Sequence, residues 1–202
     1  MPRAAGDLKI IEIANAIPKA YQDQVEAELG SATMTWSFHE EVARSASKFK
    51  NTFSGFSHMA YVVEDEESTI SPMSSLLLPI LFVFCDKAGI EYNTLLRIRV
   101  GLFTKTTIEA LHHNPHVDFR QPHRTAVYYV NDSDGDTFVF NQTFDDVSVD
   151  DSAKYANENK FTIAGRVSPR KGTMMCFDGR HYHASMHPMK ANKRIAITFN
   201  FV

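Results

Sequence analysis

The chain has 202 residues, a formal net charge of −3, and a composition that is 44% hydrophobic and 22% charged. Its length is typical of one domain, and its composition excludes disordered, collagen-like and coiled-coil proteins. The small negative charge disfavours a dedicated nucleic-acid binder, which needs cations to neutralise a phosphate backbone. Two cysteines, Cys85 and Cys176, are too few for a disulfide framework and lack the paired spacing of a zinc site. We therefore expect a single domain over residues 1–202 in a reducing compartment, the cytoplasm.

The first half of the chain, residues 1–94, is predicted to be a helical support region. Its first 18 residues lack the apolar stretch of a signal peptide. Pro18–Leu29 predicts an amphipathic helix, because proline suits the first turn and apolar residues recur at a spacing of four. The apolar residues on that face are Tyr21, Val25 and Leu29.

A second helix is predicted over Leu76–Cys85, the longest apolar run in the sequence. The run is about half the roughly 20 residues that a membrane-spanning helix needs, so it predicts a buried helix and no membrane partner. Between the two helices, the polar stretch Ser45–Ser75 predicts a solvated loop with a short strand near Met59–Val63.

From Leu95 onward the apolar pattern changes to period two, which is typical of half-buried strands. Turn-forming residues separate at least six such segments, and most have no helical crossover between them. The C-terminal part, residues 95–202, is therefore predicted to be an antiparallel sandwich or jelly roll, with the two helices packed on the outside. The predicted strands lie in 95–103, 124–130, 136–141, 161–167, 172–178 and 194–202.

Seven of the nine histidines fall into two clusters within this strand-rich part. The first cluster contains His116-Val117-Asp118, whose two outer side chains leave the same face of an extended segment and can point at one ion. By itself this pattern fits equally well a histidine that caps a turn with aspartate as its partner. The clusters are His112, His113, His116 and His123, and His181, His183 and His187.

The second cluster favours a metal site. A predicted strand ends at Phe177-Asp178, a short turn and a histidine follow, and Arg194 begins the last strand. Two histidines and one carboxylate on one side of a metal form the arrangement that binds non-haem Fe(II) and leaves positions open for a keto acid and dioxygen. An arginine then pairs bidentately with the free carboxylate of a keto diacid, as lysine cannot.

In these features Leu95–Val202 resembles the 2-oxoglutarate and Fe(II)-dependent dioxygenases, and within them the prolyl 4-hydroxylase-like group with its small viral and bacterial members. Five segments match in order. They are His116-Val117-Asp118, Arg124–Asn131, Gly135–Phe138, Phe177-Asp178 with His183, and Arg194–Phe199.

The resemblance implies a double-stranded β-helix, or jelly roll, that uses Fe(II), 2-oxoglutarate and dioxygen, with ascorbate as a supporting reductant. It implies that 2-oxoglutarate is oxidised to succinate and carbon dioxide while a substrate C–H bond is hydroxylated. The catalytic metal ligands that it implies are His116, Asp118 and His183. The residues that it implies for 2-oxoglutarate are Arg194, Tyr129 and Thr198.

Three histidines compete for the distal ligand position. We predict His183, because it lies five positions after Asp178 and eleven before Arg194, close to the spacing of the resembled family. His181 and His187 are interpreted as exposed loop histidines.

Strand alternation predicts which side chains face the cavity. If Arg194 points inward, so do Ala196, Thr198 and Asn200, and the intervening apolar residues face the helices. The same rule places Tyr129, rather than Tyr128, toward the co-substrate. Arg97 and Arg99 share one strand face, for which a solvated surface is favoured over the substrate side of the cavity.

Some positions depart from the resembled pattern. Asp136 stands where a glycine is customary, and the strand before His116 lacks a tyrosine that some relatives carry. A calcium loop starting at Asp132 is disfavoured, since Thr137 and Thr143 stand where it needs glycine and glutamate.

A prolyl residue in a peptide or protein is the expected substrate, and a free amino acid or other small metabolite is the alternative. An alkylated nucleobase is less favoured, because relatives that repair such bases carry a second arginine at the position of Asn200. A non-enzymatic jelly-roll binding or virion protein would explain the fold without explaining the ligand set.

Overall fold

The computed structural model describes residues 8–42, 53–64, 67–107 and 112–202. Most of its regular structure is antiparallel β-sheet, and three helices are present in the described residues. In chain order the elements are β1 (Ile11–Ile13), α1 (Lys19–Leu29), β2 (Ser37–His39), β3 (Gly55–Glu64), β4 (Glu67–Ile70), α2 (Met73–Ala88), β5 (Leu95–Thr104), β6 (Arg124–Tyr129), β7 (Thr137–Thr143), α3 (Ser152–Asn157), β8 (Ile163–Val167), β9 (Met174–Asp178), β10 (His181–Ser185) and β11 (Lys193–Phe201).

Two sheets form the body of the molecule. The large sheet has the strand order β1-β9-β6-β11-β5-β3-β2, with β4 paired to β3. The small sheet has the order β10-β7-β8. Strand β11 lies at the centre of the large sheet between β5 and β6, so side chains of β11 and β5 lie next to each other on each face of the sheet.

Helices α1 and α2 cover one face of the large sheet. Val25 and Leu29 of α1 and the buried residues of α2 share a single apolar core with the outward side chains of the sheet. The contributions of β11 to this core are Ile195, Ile197, Phe199 and Phe201, as strand alternation predicts. The opposite face of β11 is therefore free to line a cavity between the sheets.

Helix α1 matches its predicted bounds within one residue, whereas α2 is longer than predicted, with 16 residues and Pro79 in its interior. None of the described helices is long and apolar enough to cross a membrane.

The solvated loop predicted over Ser45–Ser75 was wrong where the structure describes it, whereas the strand predicted near Met59–Val63 lies within β3; residues 43–52, 65 and 66 lie outside the described part. Strand β3 has ten residues and pairs with β2, β4 and β5, so this stretch extends the large sheet. Residues 1–94 therefore supply strands as well as helices. The polar composition misled the prediction, because the cavity-facing side of the strand carries small polar residues such as the buried Ser57.

Two elements of the C-terminal part, residues 95–202, were not predicted. Strand β10 follows the predicted turn at Gly179-Arg180 and pairs with β7, with an irregular register between His181 and His183. The short helix α3 packs beside it through Tyr155, next to the aromatic core under the small sheet.

Candidate metal centre and its cavity

His116, Asp118 and His183 converge at one end of the space between the two sheets, where their potential ligand atoms all lie within 4.8 Å of one another. An isolated antiparallel bridge joins His116 to His183: each backbone N–H donates to the other residue's carbonyl, at 3.0 and 2.9 Å. Residues that face each other in such a bridge project their side chains to the same side. Asp118 joins them because it lies two positions after His116 along an extended segment.

Both histidines present Nε2 to the centre. The Nδ1 atom of His116 lies 3.1 Å from the carbonyl oxygen of Asn114, and that of His183 lies 3.3 Å from the carbonyl oxygen of His181. A carbonyl accepts only from a protonated ring nitrogen, so these contacts place the proton on Nδ1 and leave the Nε2 lone pair free for a metal. Burial, together with the neighbouring His183, lowers the pKa of His116 to about 4, so its ring is neutral at physiological pH.

The Asp118 carboxylate is held by two side chains of the sheet floor. Arg97 forms an ion pair with its Oδ1, and Asn200 Nδ2 donates to its Oδ2 at 2.8 Å. Arg97 Nε also donates to Asn200 Oδ1 at 3.0 Å, which locks the two partners together. Burial alone would raise the pKa of Asp118, but Arg97 and the two histidines hold it well below its usual range. The carboxylate is therefore ionised.

Arg194 lies at the other end of the cavity and is 4% exposed. Its Nε donates to the Gly135 carbonyl at 2.6 Å, and its Nη2 donates to Thr137 Oγ1 at 2.9 Å. Among the described residues no carboxylate pairs with it, and its remaining N–H groups are available to a ligand.

Tyr129 and Thr198 have different positions relative to this cavity. Tyr129 is fully buried, and its hydroxyl donates to Thr137 Oγ1 at 2.9 Å instead of lining the cavity itself. Thr198 lines the cavity beside Val127. Thr137 also lines it and was not predicted from the sequence; its Oγ1 accepts from both Tyr129 and Arg194, which leaves its own O–H to donate to a ligand.

The cavity encloses about 60 Å³ of space open to water, and residues from both sheets line it. It connects the histidine–aspartate centre to Arg194 across a floor that includes Gly101 and Ala196. The chemistry of its two ends therefore suits a ligand with a chelating end and an anionic end.

The fold is that of the 2-oxoglutarate and Fe(II)-dependent oxygenases. An oxidoreductase of the 2OG-Fe(II) oxygenase family from Burkholderia pseudomallei matches with a TM-score of 0.64 over 96% of this chain and 85% of its own, at 13% sequence identity. The α-ketoglutarate-dependent epimerase SnoN of nogalamycin biosynthesis matches with a TM-score of 0.63 over 97% of this chain and 79% of its own, at 12% identity. A prolyl-4-hydroxylase from Pseudomonas putida matches with a TM-score of 0.55 over 95% of this chain and 91% of its own, at 11% identity.

The predicted jelly-roll fold is thus confirmed by solved structures of this oxygenase fold. No family model matches the chain, and no curated protein matches it in sequence.

Arg97 and Arg99 correct a prediction. Both line the cavity of the oxygenase fold, so the favoured interpretation of a solvated sheet face was wrong. Alternation along β5 had placed the two arginines on one face, but only the pairing of β5 with β11 shows that this face is the cavity floor.

His187 corrects another prediction, since it is 8% exposed and not a surface histidine. Its Nδ1 and Nε2 lie 2.7 and 3.1 Å from the carbonyl oxygens of Thr104 and Ser54. It packs with Phe53, Phe103 and His113. His181 is half-buried, with Nδ1 2.8 Å from the Phe140 carbonyl oxygen. Neither ring is part of the group at the centre.

The aspartates of the β6–β7 loop have structural partners. Asp136 is buried and forms an ion pair with Arg166 of β8, which explains how a carboxylate occupies this position. Asp134 accepts hydrogen bonds from the backbone N–H groups of 189–191, and Asp132 accepts one from Lys171. Asp134 therefore shapes the loop that precedes Arg194, whereas Asp136 and Asp132 join their own loop to the segment 166–171.

Proposed function

We propose that this protein is a 2-oxoglutarate- and Fe(II)-dependent dioxygenase that hydroxylates a C–H bond, with a prolyl residue in a peptide as the first candidate substrate. The observation that carries the proposal is the convergence of His116, Asp118 and His183 at one end of a cavity whose other end holds the buried Arg194, which has no carboxylate partner in the described part of the chain. This arrangement lies on an oxygenase fold.

The donor set fits Fe(II). Asp118 Oδ1 lies 4.0 Å from His116 Nε2, and Asp118 Oδ2 lies 3.6 Å from His183 Nε2. Two donors bound at about 2.1 Å to adjacent positions of one first-row ion lie about 3.0 Å apart, so each pair would close by about 1 Å or less around a shared ion. With three protein ligands, the remaining positions stay open. Bound there, Fe(II) would supply the activation of dioxygen that couples oxidation of 2-oxoglutarate to hydroxylation.

The chain's own residues would bind and orient the co-substrate. Arg194 would pair with the distal carboxylate of 2-oxoglutarate, and the free O–H of Thr137 would donate to the same group. Tyr129 would act through Thr137, because its hydroxyl fixes the orientation of that side chain. Thr198 would border the co-substrate on the floor of the cavity.

Two of the structural likenesses bear on the substrate. The likeness to a prolyl-4-hydroxylase from Pseudomonas putida favours a prolyl residue, and the likeness to the epimerase SnoN favours a small metabolite. We place the prolyl substrate first because the sequence motifs run closest to that group.

The test uses purified protein with Fe(II), ascorbate and 2-oxoglutarate, and it measures succinate and product mass in the presence of proline-containing peptides, free amino acids or methylated oligonucleotides. Stimulation of succinate by a peptide, with a gain of one oxygen on its proline, is the expected result. Stimulation by a free amino acid alone would move the proposal to the metabolite. Methyl loss from the oligonucleotide would contradict both.

A further inference from the structure

Arg99 occupies the middle of the cavity floor. In the large sheet it lies between Thr198 of β11 and Met59 of β3. Its strand neighbours Ile98 and Val100 are buried in the core on the helix side, so alternation directs Arg99 to the cavity, which it lines. In the next inward row toward Arg194, Gly101 and Ala196 lie side by side at the centre, between Ser57 of β3 and Tyr129 of β6. A Cβ built on Gly101 would have the Ala196 carbonyl oxygen, 4.0 Å away, as its one neighbour, so this row leaves room in front of Arg99.

Arg99 differs from the other two arginines of the cavity in lacking a partner. Arg97 is paired with Asp118 and Asn200, and Arg194 donates to Gly135 and Thr137. Among the described residues, the guanidinium of Arg99 makes neither a hydrogen bond nor an ion pair. Burial and the adjacent positive charge of Arg97 both lower its pKa, and the already neutralised Asp118 only partly opposes them.

A guanidinium does not lose its proton in proteins, so Arg99 keeps its charge in this setting. Arg99 is half-buried, and a charge that is partly withdrawn from water is costly unless it is paired. The two other carboxylates of the cavity already have cationic partners. Asp118 pairs with Arg97, and the distal carboxylate of 2-oxoglutarate pairs with Arg194 under the proposed function. The charge of Arg99 is therefore left for another ligand.

We propose that Arg99 binds a carboxylate of the substrate, so that this oxygenase acts on a carboxylate-bearing substrate. The inference rests on the proposed function and specifies its substrate class. A carboxylate fits better than a phosphate dianion, because Arg99 is the one cation lining the described cavity without an assigned partner, and one guanidinium matches one carboxylate bidentately. The group has two possible sources: the α-carboxylate of a free amino acid, or an acidic side chain next to the reacting residue of a peptide.

The first experiment measures carboxylate binding directly, with acetate as the probe. The full chain is loaded with Mn(II) and saturating 2-oxoglutarate, and its melting temperature is followed against acetate at constant ionic strength, with acetamide as the neutral match. Wild type and Arg99→Gln are compared with Arg99→Lys, which keeps the charge, and with Arg170→Gln, which removes an exposed arginine outside the cavity.

Acetate, but not acetamide, is expected to raise the melting temperature of wild type and Arg170→Gln, because a ligand that binds only the folded state stabilises it. Arg99→Gln is expected to lose the shift and Arg99→Lys to retain part of it. An equal shift in Arg99→Gln, or no shift in wild type, would overturn the inference. The proposed function is tested separately in the same samples, since its failure would show as no response to Mn(II) and 2-oxoglutarate before acetate is added.

A second measurement identifies the source of the carboxylate and separates it from the co-substrate. Succinate formation is compared for N-acetyl-L-proline against N-acetyl-L-prolinamide, and for peptides with Glu or Gln beside proline. In wild type, the carboxylate member of each pair is expected to stimulate succinate formation at least about tenfold more than the neutral member, which corresponds to 1.4 kcal/mol of discrimination. In Arg99→Gln, the two members are expected to stimulate it equally. The KM for 2-oxoglutarate is expected to stay unchanged in that variant. A rise in this KM would assign Arg99 to the co-substrate and overturn the inference.

Discussion

Asp118 connects the candidate metal centre to the large sheet through Arg97 of β5 and Asn200 of β11. Its ion pair with Arg97 and its hydrogen bond from Asn200 fix the carboxylate in place and keep it ionised. Partners of metal ligands commonly change metal affinity 10- to 100-fold when they are removed.

Replacing Arg97 by methionine is therefore expected to weaken Fe(II) binding by about 10- to 100-fold, because methionine fills similar volume without the charge. Titration of the metal-free protein with Fe(II) under anaerobic conditions measures this affinity. Arg170→Met serves as the matched control. Unchanged affinity in Arg97→Met would show that Asp118 does not depend on its arginine.

Arg194 is predicted to set the affinity for 2-oxoglutarate. Lysine keeps the charge but loses the planar donor pair, so Arg194→Lys is expected to raise the KM for 2-oxoglutarate by on the order of tenfold or more. Steady-state succinate formation against 2-oxoglutarate concentration measures it. A wild-type KM in this variant would place the distal carboxylate elsewhere.

At the residue scale, the sequence predicted which three side chains would meet, and the structure brings them together; that they bind iron stays a prediction. The partners of Asp118 were not predictable, since Arg97 and Asn200 are more than eighty positions from each other and meet only through the pairing of β5 with β11. Thr137 was missed for a similar reason, because its role depends on contacts with Tyr129 and Arg194.

At the scale of elements, alternation predicted the faces of β11 and β6 correctly, because each strand is uniformly apolar on the helix side. It could not tell which face of β5 meets solvent. Alternation also could not predict the loop before β11, because its backbone is not paired as a strand. The Asp134 carboxylate instead accepts hydrogen bonds from the backbone N–H groups of Met189, Lys190 and Ala191.

Asp134→Ala is expected to destabilise the protein by about 1 to 3 kcal/mol, because it removes a charged acceptor shared by three backbone donors. Asp132→Ala is the matched control and should cost less, since that carboxylate accepts from a single backbone N–H, that of Lys171. Urea unfolding of both variants measures the difference. Equal losses would show that the loop does not depend on Asp134.

At the scale of the whole molecule, the period-two pattern after Leu95 was enough to predict an antiparallel sandwich or jelly roll, because most of the strands follow one another without crossover helices. The resemblance to the oxygenases selected the jelly roll between the two. The outer strands of the large sheet, β1 to β4, come from the first half of the chain. These strands are short or polar, so their sequences show little apolar alternation. The small sheet was incompletely predicted because β10 carries histidines in place of an apolar alternation.

Five histidines outside β10 make the stability of the metal-free protein depend on pH. Burial lowers the pKa of His112, His113, His116, His123 and His187 below 6.5. The unfolded chain then binds more protons than the folded chain as the pH falls below 6.5, so the free energy of unfolding decreases with acidification toward pH 4.

Each such histidine contributes a slope of at most about 1.4 kcal/mol per pH unit within that window. In His113→Phe, the free energy of unfolding is expected to depend less steeply on pH than in wild type below pH 6.5, and equally steeply above pH 7. Urea titrations at a series of pH values, with chelator present, measure this. Identical slopes would contradict the neutral, buried state of His113.

The central claim is that His116, Asp118 and His183 form the iron site of a 2-oxoglutarate oxygenase, and succinate formation tests it most directly. Wild type, His183→Ala, His181→Ala and His187→Ala are incubated with Fe(II), ascorbate and 2-oxoglutarate, and succinate is quantified together with bound iron. We predict slow succinate formation without substrate in wild type and in the His181 and His187 variants, and none above background in His183→Ala, with all four proteins folded. No succinate from iron-loaded wild type, or undiminished succinate from His183→Ala, would contradict the account.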